Sequence, residues 1–439
     1  MAAPRCVVTG RRRRPRTAVL ALVAVLLAAC SGTEDGDGDA LRGQRIEVLA
    51  VWSGNEQEQF RRVAEAFERR TGVSVGYTSA GHGVAAELDT RLAEDRLPDV
   101  AFLPQPGLLR RLAGAGRLVP LRGLTEEAVE RNYGSVWRTL GSADGRLYGV
   151  WFKAANKSLI WYNVGVFERA GVVPPDDMDR LLEVAGTLTA SGVPAFSVGG
   201  ADGWTLTDWF ENLYLRAAGP ERYDLLAEHR LPWTDESVKD TLRLLSRVLA
   251  PAHLSGGTEE ALRTSFEASV ERTFGTPPLA AMVFEGDFVA GVVRGRTRAQ
   301  LGVNADVFPF PRVGDSPPSV VGGGDAAVLL RESDAGEAFL RYLAGPEAAA
   351  VWAARGGFVS PNRNLDISVY PDEITRSVAR RLLDAGDEFR FDLSDLQPAA
   401  FGGLPAQGLR PALQDFLRHG DVDATAARLE AEAQAAFGG

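Results

Sequence analysis

The residues of this chain with chemistry to offer sit just after short apolar runs, where carboxylates and amides lie close to aromatic rings. Trp52-Ser53-Gly54 follows the run Ile46–Val51, and Gln105 stands between Pro104 and Pro106 after Val100–Leu103. Gly203-Trp204-Thr205-Leu206-Thr207-Asp208-Trp209 places two indoles and an acid within seven residues, and Gly322-Gly323-Gly324-Asp325 ends a glycine run on an acid. Carboxylates, amides and backbone N–H groups pair with hydroxyls, and flat rings stack on patches of C–H bonds. Such loops can therefore both hydrogen-bond and stack against a bound small molecule. Each residue also has a plainer reading. Trp52 can cap a core while Ser53 or Asn55 caps a helix. Gln105 can be a loop residue held extended by its prolines, and the glycines near Gly323 can serve a hinge as readily as a ligand.

The segment around Trp204 supports the most detailed expectation. Thr205 and Asp208, three residues apart, match a capping box, so the helix is expected to start at Thr205. Leu206, Trp209, Phe210, Leu213, Tyr214 and Ala217 then share helical spacing, which puts Trp209 in the core. Trp204 falls before the cap and off that stripe, free to stack, and Asp208 reads as a cap or as a ligand contact. Phe401 is a further candidate stacking ring.

Motifs for catalysis are scarce. The four histidines, His82, His229, His253 and His419, form no metal-spaced pair, and no G-x-S-x-G, P-loop or strand-to-helix G-x-G-x-x-G appears. No metal and no cofactor is expected. A carboxylate pair would suffice for a glycosidase, which stays open as an alternative beside a sensor or adhesin lipoprotein.

These residues have to be positioned by strands and helices in alternation. Strand-like runs at Ile46–Val51, Val73–Thr78 and Val100–Leu103 alternate with helical patterns at Asn55–Arg70, Ala85–Leu92 and from Leu108. Such βα repeats predict a parallel sheet with ligands beyond the strands' carboxyl ends. After the Asp144-Gly145 turn signal a second set follows, with strands at Leu147–Phe152, Leu159–Tyr162, Ala195–Val198, Leu279–Phe284, Val303–Phe308 and Ala326–Leu330. The tail from Asp372 is mostly helical. At 439 residues there is room for two or three cores.

The amino terminus reads as an export signal. Arg11–Arg14 and Arg16 precede a short apolar core, Ala18–Leu27, and Leu27-Ala28-Ala29-Cys30 has the form of a lipobox. Residues 1–29 are therefore expected to be removed, Cys30 lipidated, and residues 30–44 to form a flexible tether. The two cysteines, Cys6 and Cys30, both fall in this region, so the body carries no thiol. The six arginines of residues 1–29 taken from 48 basic residues leave 42 against 58 acids, a net −16. A body that acidic repels phosphate backbones, so no nucleic-acid partner is expected. Only three basic residues are lysines, at Lys153, Lys157 and Lys239.

VWSGNEQEQF from Val51, LPDVAFLPQPGLLRRLAGAGRLVPL from Leu97, LYGVWFKAANKSLIWYN from Leu147, GGADGWTLTDWFENLYLRAAGPERYD from Gly199, PWTDESVK from Pro232 and TPPLAAMVFEGDF from Thr276 occur in this order. Together they resemble the extracellular solute-binding proteins of carbohydrate ABC importers, the α-glucoside-binding type above all. The resemblance implies an α/β, two-lobed periplasmic-binding-protein-like fold of type II with three hinge crossings, expected near Phe152–Asn156, Phe310–Val321 and Gly356–Arg363. It gives lobe 1 residues 45–155 and 322–357, and lobe 2 residues 156–321 and 358–439. It implies a sugar, an α-glucoside or other oligosaccharide, held between the lobes. The captured sugar would be delivered to permease subunits with their ATPase, by a monomer tied to the membrane through its lipid alone. It also points to Glu285, Asp287 and Phe288 as contacts from the second lobe, and to Trp151 and Lys153 where a crossing faces the cleft. Surface charge for Glu285 and core packing for Phe288 are the competing readings.

Overall fold

Two separate apolar cores organise the computed structural model, which describes residues 40–438. The expected signal peptide and Cys30 lie outside the described residues, as does most of the tether. The body begins earlier than expected, since Leu41 is already buried in the first core.

The first lobe is built on a six-stranded sheet. Its strands are β1 (Arg45–Ala50), β2 (Ser74–Ser79), β3 (Val100–Leu103), β4 (Gly149–Asn156), β8 (Val320–Leu329) and β9 (Phe389–Phe391); three strands of the other lobe, β5 (Leu159–Asn163), β6 (Met282–Phe284) and β7 (Ala305–Pro309), fall between them in the chain. β1 pairs parallel with β2 and β3, as the βα pattern predicts, whereas β8 runs antiparallel to both β3 and β4. The helix α1 (Gly54–Thr71) turns Phe60, Val63, Ala64 and Phe67 onto this sheet, the stripe its spacing predicted. The second lobe has a small antiparallel sheet ordered β6-β5-β7, surrounded by helices. Ala195–Val198 forms no full strand there; Phe196 makes only isolated bridges to Leu254 and Met282.

The glycine run lies inside β8 rather than before it. Gly322, Gly323 and Gly324 are in register with Asn156, Ala155 and Ala154. A Cβ on Gly322 would meet the Ala155 carbonyl and the Phe389 ring at 2.5 Å, and one on Gly324 would meet the Lys153 carbonyl at 2.5 Å. Glycine is needed there because two strands and a ring approach too closely for any side chain.

The third passage between cores also differs from expectation. Phe358, Val359, Ile374, Val378, Leu382, Phe389 and Phe391 all pack in the first core, and the second core takes over at Leu393. β9 pairs parallel with β8, so residues 389–391 join the first-lobe sheet, while the helix Glu373–Asp384 also borders Trp161, Ala290 and Arg294 of the second lobe. The passages are Asn156–Ser158, Ser319–Val321 and Phe391–Leu393.

All three are clasped by one helix, α2 (Trp204–Ala218), whose residues Thr205–Arg216 are all buried. Its polar stripe does the clasping. Asn212 donates to the Lys157 carbonyl (3.1 Å) and accepts from Ser158 Oγ (2.6 Å). Arg216 donates to the Ser319 carbonyl (2.8 Å), and Glu211 accepts from the Leu393 and Ser394 amides. Outside this framework, Leu124 on the first lobe and Val173 on the second stand as exposed apolar residues, 59% and 73% accessible. Among the described residues no helix is long and apolar enough to cross a membrane.

Candidate functional site

The seam between the lobes is lined by two lysines of one strand and its continuation. Lys153 and Lys157, four residues apart, point toward the same side of the extended chain. Lys153 pairs with Glu56 of α1, close to Asp325, and its ammonium lies over the Trp352 ring at 5.5 Å. Lys157 pairs with Asp208 (3.2 Å) and with Asp392. Gln105 donates to Asp395 (3.0 Å), joining the loop after β3 to the segment after β9.

Several expected contacts do not reach this seam. The Trp52 ring is 2% accessible, wedged among Phe60, Phe102 and Trp352, with its Nε1 donating to Asp325 (3.2 Å). Trp151 is buried against Trp137 and Phe391, and Phe401 against Trp233. Each ring lies in an apolar core, where burial of its large surface outweighs any use as a platform. Ser53 and Gly54 remain exposed at the start of α1, and Ser53 makes no capping bond through its side chain. Gly323 is a strand residue facing Lys157, whose Cε would lie 3.8 Å from an added Cβ.

The capping box is not formed. Gly203 caps α2 with φ 75°, a conformation glycine adopts freely, and an added Cβ would strike Arg410 at 2.8 Å. Thr205 Oγ1 instead donates to the Gly199 carbonyl (2.8 Å), and Asp208 turns inward to Lys157. The helix therefore starts at Trp204. Trp209 is core, as expected, with its ring 4.5 Å from Phe284 and 5.4 Å from Phe196.

Trp204 itself is half-buried. It meets Phe266 at 5.3 Å and Phe288 at 6.0 Å, while Lys157 lies over its ring at 5.9 Å. The three rings form a packed corner rather than an open cage. Lys157 links this corner to Asp208, whose Oδ2 lacks a donor; Glu285 is 1% accessible and neither of its oxygens has a donor. Asp287 holds the first passage, accepting from the Asn156 amide (2.8 Å).

The electrostatics follow from this crowding. Burial, with Asp208 adding to it, raises the Glu285 carboxyl well above the usual range. Asp208 is pushed up to about 7 by burial, against the pull of Lys157. Asp395 is raised to about 7 by burial and by Asp392, and Asp287 and Asp325 to about 6 by burial. Asp392 moves the other way, to about 2, because Lys157, Ser394 and Glu211 hold its charged form against the cost of burial. Oxygens of Asp208, Glu211 and Asp392 lie within 4.8 Å of one another, a spacing that could hold a cation. The lysine ammonium already occupies that role, and the Glu211 oxygens are spent on two backbone amides.

An open groove of about 430 Å³ on the second lobe is lined by Glu260, Arg263 and Arg272. Its charges are paired with one another, Arg272 to Glu260 at 3.0 Å, so it makes no comparable demand for a ligand. Sequence reasoning missed Lys157, Asp392, Asp395 and Phe266. Lysine rarity was the available signal for Lys157, since two of three lysines line one seam in a chain that otherwise uses arginine.

Two lobes, three passages clasped by one helix and a polar seam between them define a hinged two-lobed binding protein. The family model for bacterial extracellular solute-binding proteins matches residues 53–350, and the chain belongs to that family. It is 31% identical to the osmoprotective compounds-binding protein GgtB of Synechocystis sp., over 87% of this chain and 91% of that protein. It is likewise 31% identical to the alpha-glucosides-binding periplasmic protein AglE of Rhizobium meliloti, over 83% and 82%. Among solved structures, the solute receptor AcbH superposes with a TM-score of 0.75 at 18% identity, covering 90% of this chain and 98% of that one. RafE in complex with raffinose superposes at 0.71 and 17%, covering 90% and 99%. The family and these relatives bind solutes; they are not enzymes.

Proposed function

We propose that the chain captures a small sugar, an α-glucoside foremost, in the interlobe seam and delivers it to the membrane subunits of an ABC importer. The observation that carries this reading is the corner of Trp204, Phe266 and Phe288, joined through Lys157 to Asp208 and so to Glu285, acids that keep oxygens without donors. A ring platform takes the C–H face of a sugar, and carboxylate oxygens without donors take its hydroxyls. The names borne by the two 31% relatives favour an α-glucoside or another osmoprotective compound. Lys153, Lys157, Gln105, Asp208, Asp287, Asp325 and the exposed Ser53–Gly54 loop complete the proposed lining. Lipidation at Cys30, and hence tethering of a monomer to the outer face of the membrane, follows from the lipobox. Thermal-shift and calorimetric titration of the purified body against trehalose, sucrose, maltose, melibiose and raffinose tests the reading. Binding without turnover is expected; sustained sugar hydrolysis that tracks the protein would replace it with the glycosidase alternative.

A further inference from the structure

The acids of the second-lobe edge differ in kind from the others in the seam. Glu211 spends both oxygens on the Leu393 and Ser394 amides, and Asp392 is held by Lys157, Ser394 Oγ (2.5 Å) and the Asp395 amide. Asp395 accepts from Gln105 and feels Arg410. Glu285 and Asp208 alone in this group keep oxygens without donors, three in all, while each is 1% accessible. A buried acceptor left unpaired costs roughly 1–3 kcal/mol, so the pair is built for donors that arrive from outside. The two carboxyls also lie within hydrogen-bonding reach of one another. Two like charges that close repel, and with no donors to offset the repulsion the unliganded pair retains a proton.

We propose that Asp208 and Glu285 act as a paired acceptor for two neighbouring hydroxyls of the ligand, and that their capture expels the proton held between the two carboxyls. The inference rests on the seam being the sugar site. No covalent bond changes: the hydroxyl protons stay on the sugar and hydrogen-bond to the carboxylates, and the acid proton passes to solvent. The ligand must therefore present two adjacent hydroxyl donors, and anionic sugars are rejected by the charged pair.

Other groups facing the pair set its range without replacing it. Lys157 is the cation in contact, held also by Asp392; Glu211 lies one helical turn along α2; Asp395 lies beyond Asp392 with Arg410. The upward displacement of both Glu285 and Asp208 agrees with a retained proton at neutral pH. Because the ligand prefers the ionised pair, affinity increases with pH while the free pair is protonated, by up to about tenfold per pH unit, and levels off once it ionises.

The test is calorimetry at pH 7 with the tightest-binding sugar of the panel above, run in phosphate and in Tris, whose ionisation heats differ. Release of about one proton per sugar is expected for the wild type. Glu285→Gln keeps the shape and removes the titration; it should abolish release and weaken binding about tenfold or more. Asp208→Asn, measured the same way, decides the matter should Glu285→Gln fail to fold. Heats independent of buffer in the wild type overturn the inference, even where the sugar binds well. So does proton release that survives in Glu285→Gln but vanishes in Asp395→Asn. Failure of every panel sugar to bind overturns the sugar reading itself, and this inference with it.

Discussion

The two edges of the seam receive their lysines from one stretch of chain, yet they are finished differently. On the first-lobe edge the polar groups named above are paired: Lys153 has Glu56, and Trp52 Nε1 has Asp325. On the second-lobe edge Lys157 is shared by two acids, while Glu285 and one oxygen of Asp208 go unpaired. A fully paired edge offers shape and little appetite; an unpaired one is costly until something binds. Under the proposed function, the second lobe discriminates among ligands and the first closes over what has been chosen.

The strongest way to break this contrast is to damage the second lobe away from its edge. Trp209→Ala empties a core site among Phe196, Phe284 and Phe310 and should cost about 3–5 kcal/mol by chemical denaturation. Sugar affinity of the fraction still folded should stay close to wild type; its loss at native stability would place Trp209 in the site. Asp392→Asn comes next. It leaves Lys157 buried with Asp208 as its remaining partner, and a broken buried pair costs roughly 3–5 kcal/mol, here at the lower end because one acid remains. A change under 1 kcal/mol would show that Asp208 alone suffices.

A pH series sharpens the contrast without mutation. Carboxyls raised in the folded state, among them Asp208, Asp395, Asp287 and Asp325, bind protons more tightly there than in the unfolded chain. Their contribution is favourable at low pH and is lost as pH rises from about 4 toward 7. Asp392 has the opposite sign: its contribution is present above about 4 and disappears as pH falls toward 2. The ligand-free body should therefore melt higher at pH 5 than at pH 8, and lower again below pH 4. A melting temperature that climbs steadily from pH 5 to 8 would contradict the buried, proton-holding seam.

The gentlest predictions concern single side chains at the surface of the seam. Trp204→Ala should weaken sugar binding about tenfold, since a stacked ring contributes on the order of 1 kcal/mol beyond its area, while the fold stays nearly intact. Thr205→Ala should cost only about 1 kcal/mol and leave helix content unchanged, because its hydroxyl bonds the Gly199 carbonyl and caps nothing. Helix loss in that variant, seen by circular dichroism, would restore the capping box.

What could be read in advance was whatever depended on local periodicity. Val100–Leu103 is the strand its apolar run announced, and α1 buries the four residues its spacing selected. Trp209 was placed correctly by the same rule. Misreadings arose where distant contacts decide. A carboxylate three residues after a threonine looks like a cap until Lys157 arrives from the passage after β4. Trp52 and Trp151 look like cleft residues until a sheet forms beneath them. Nothing local announces that β9, some 60 residues beyond β8, returns to pair with it and joins residues 389–391 to the first-lobe sheet. The unpaired oxygens of Glu285 were invisible for the same reason, since lacking a partner is a property of the whole neighbourhood.

The absence of thiols from the body has a practical side. A chain beginning at Ala40 contains no cysteine, so Leu124→Cys and Val173→Cys would each supply a single reactive handle, one per lobe, at positions already open to solvent. Dyes attached there would report the distance between lobes as a colour change. The molecule could then serve as an optical gauge of its own ligand, with no native sulfur to block or remove.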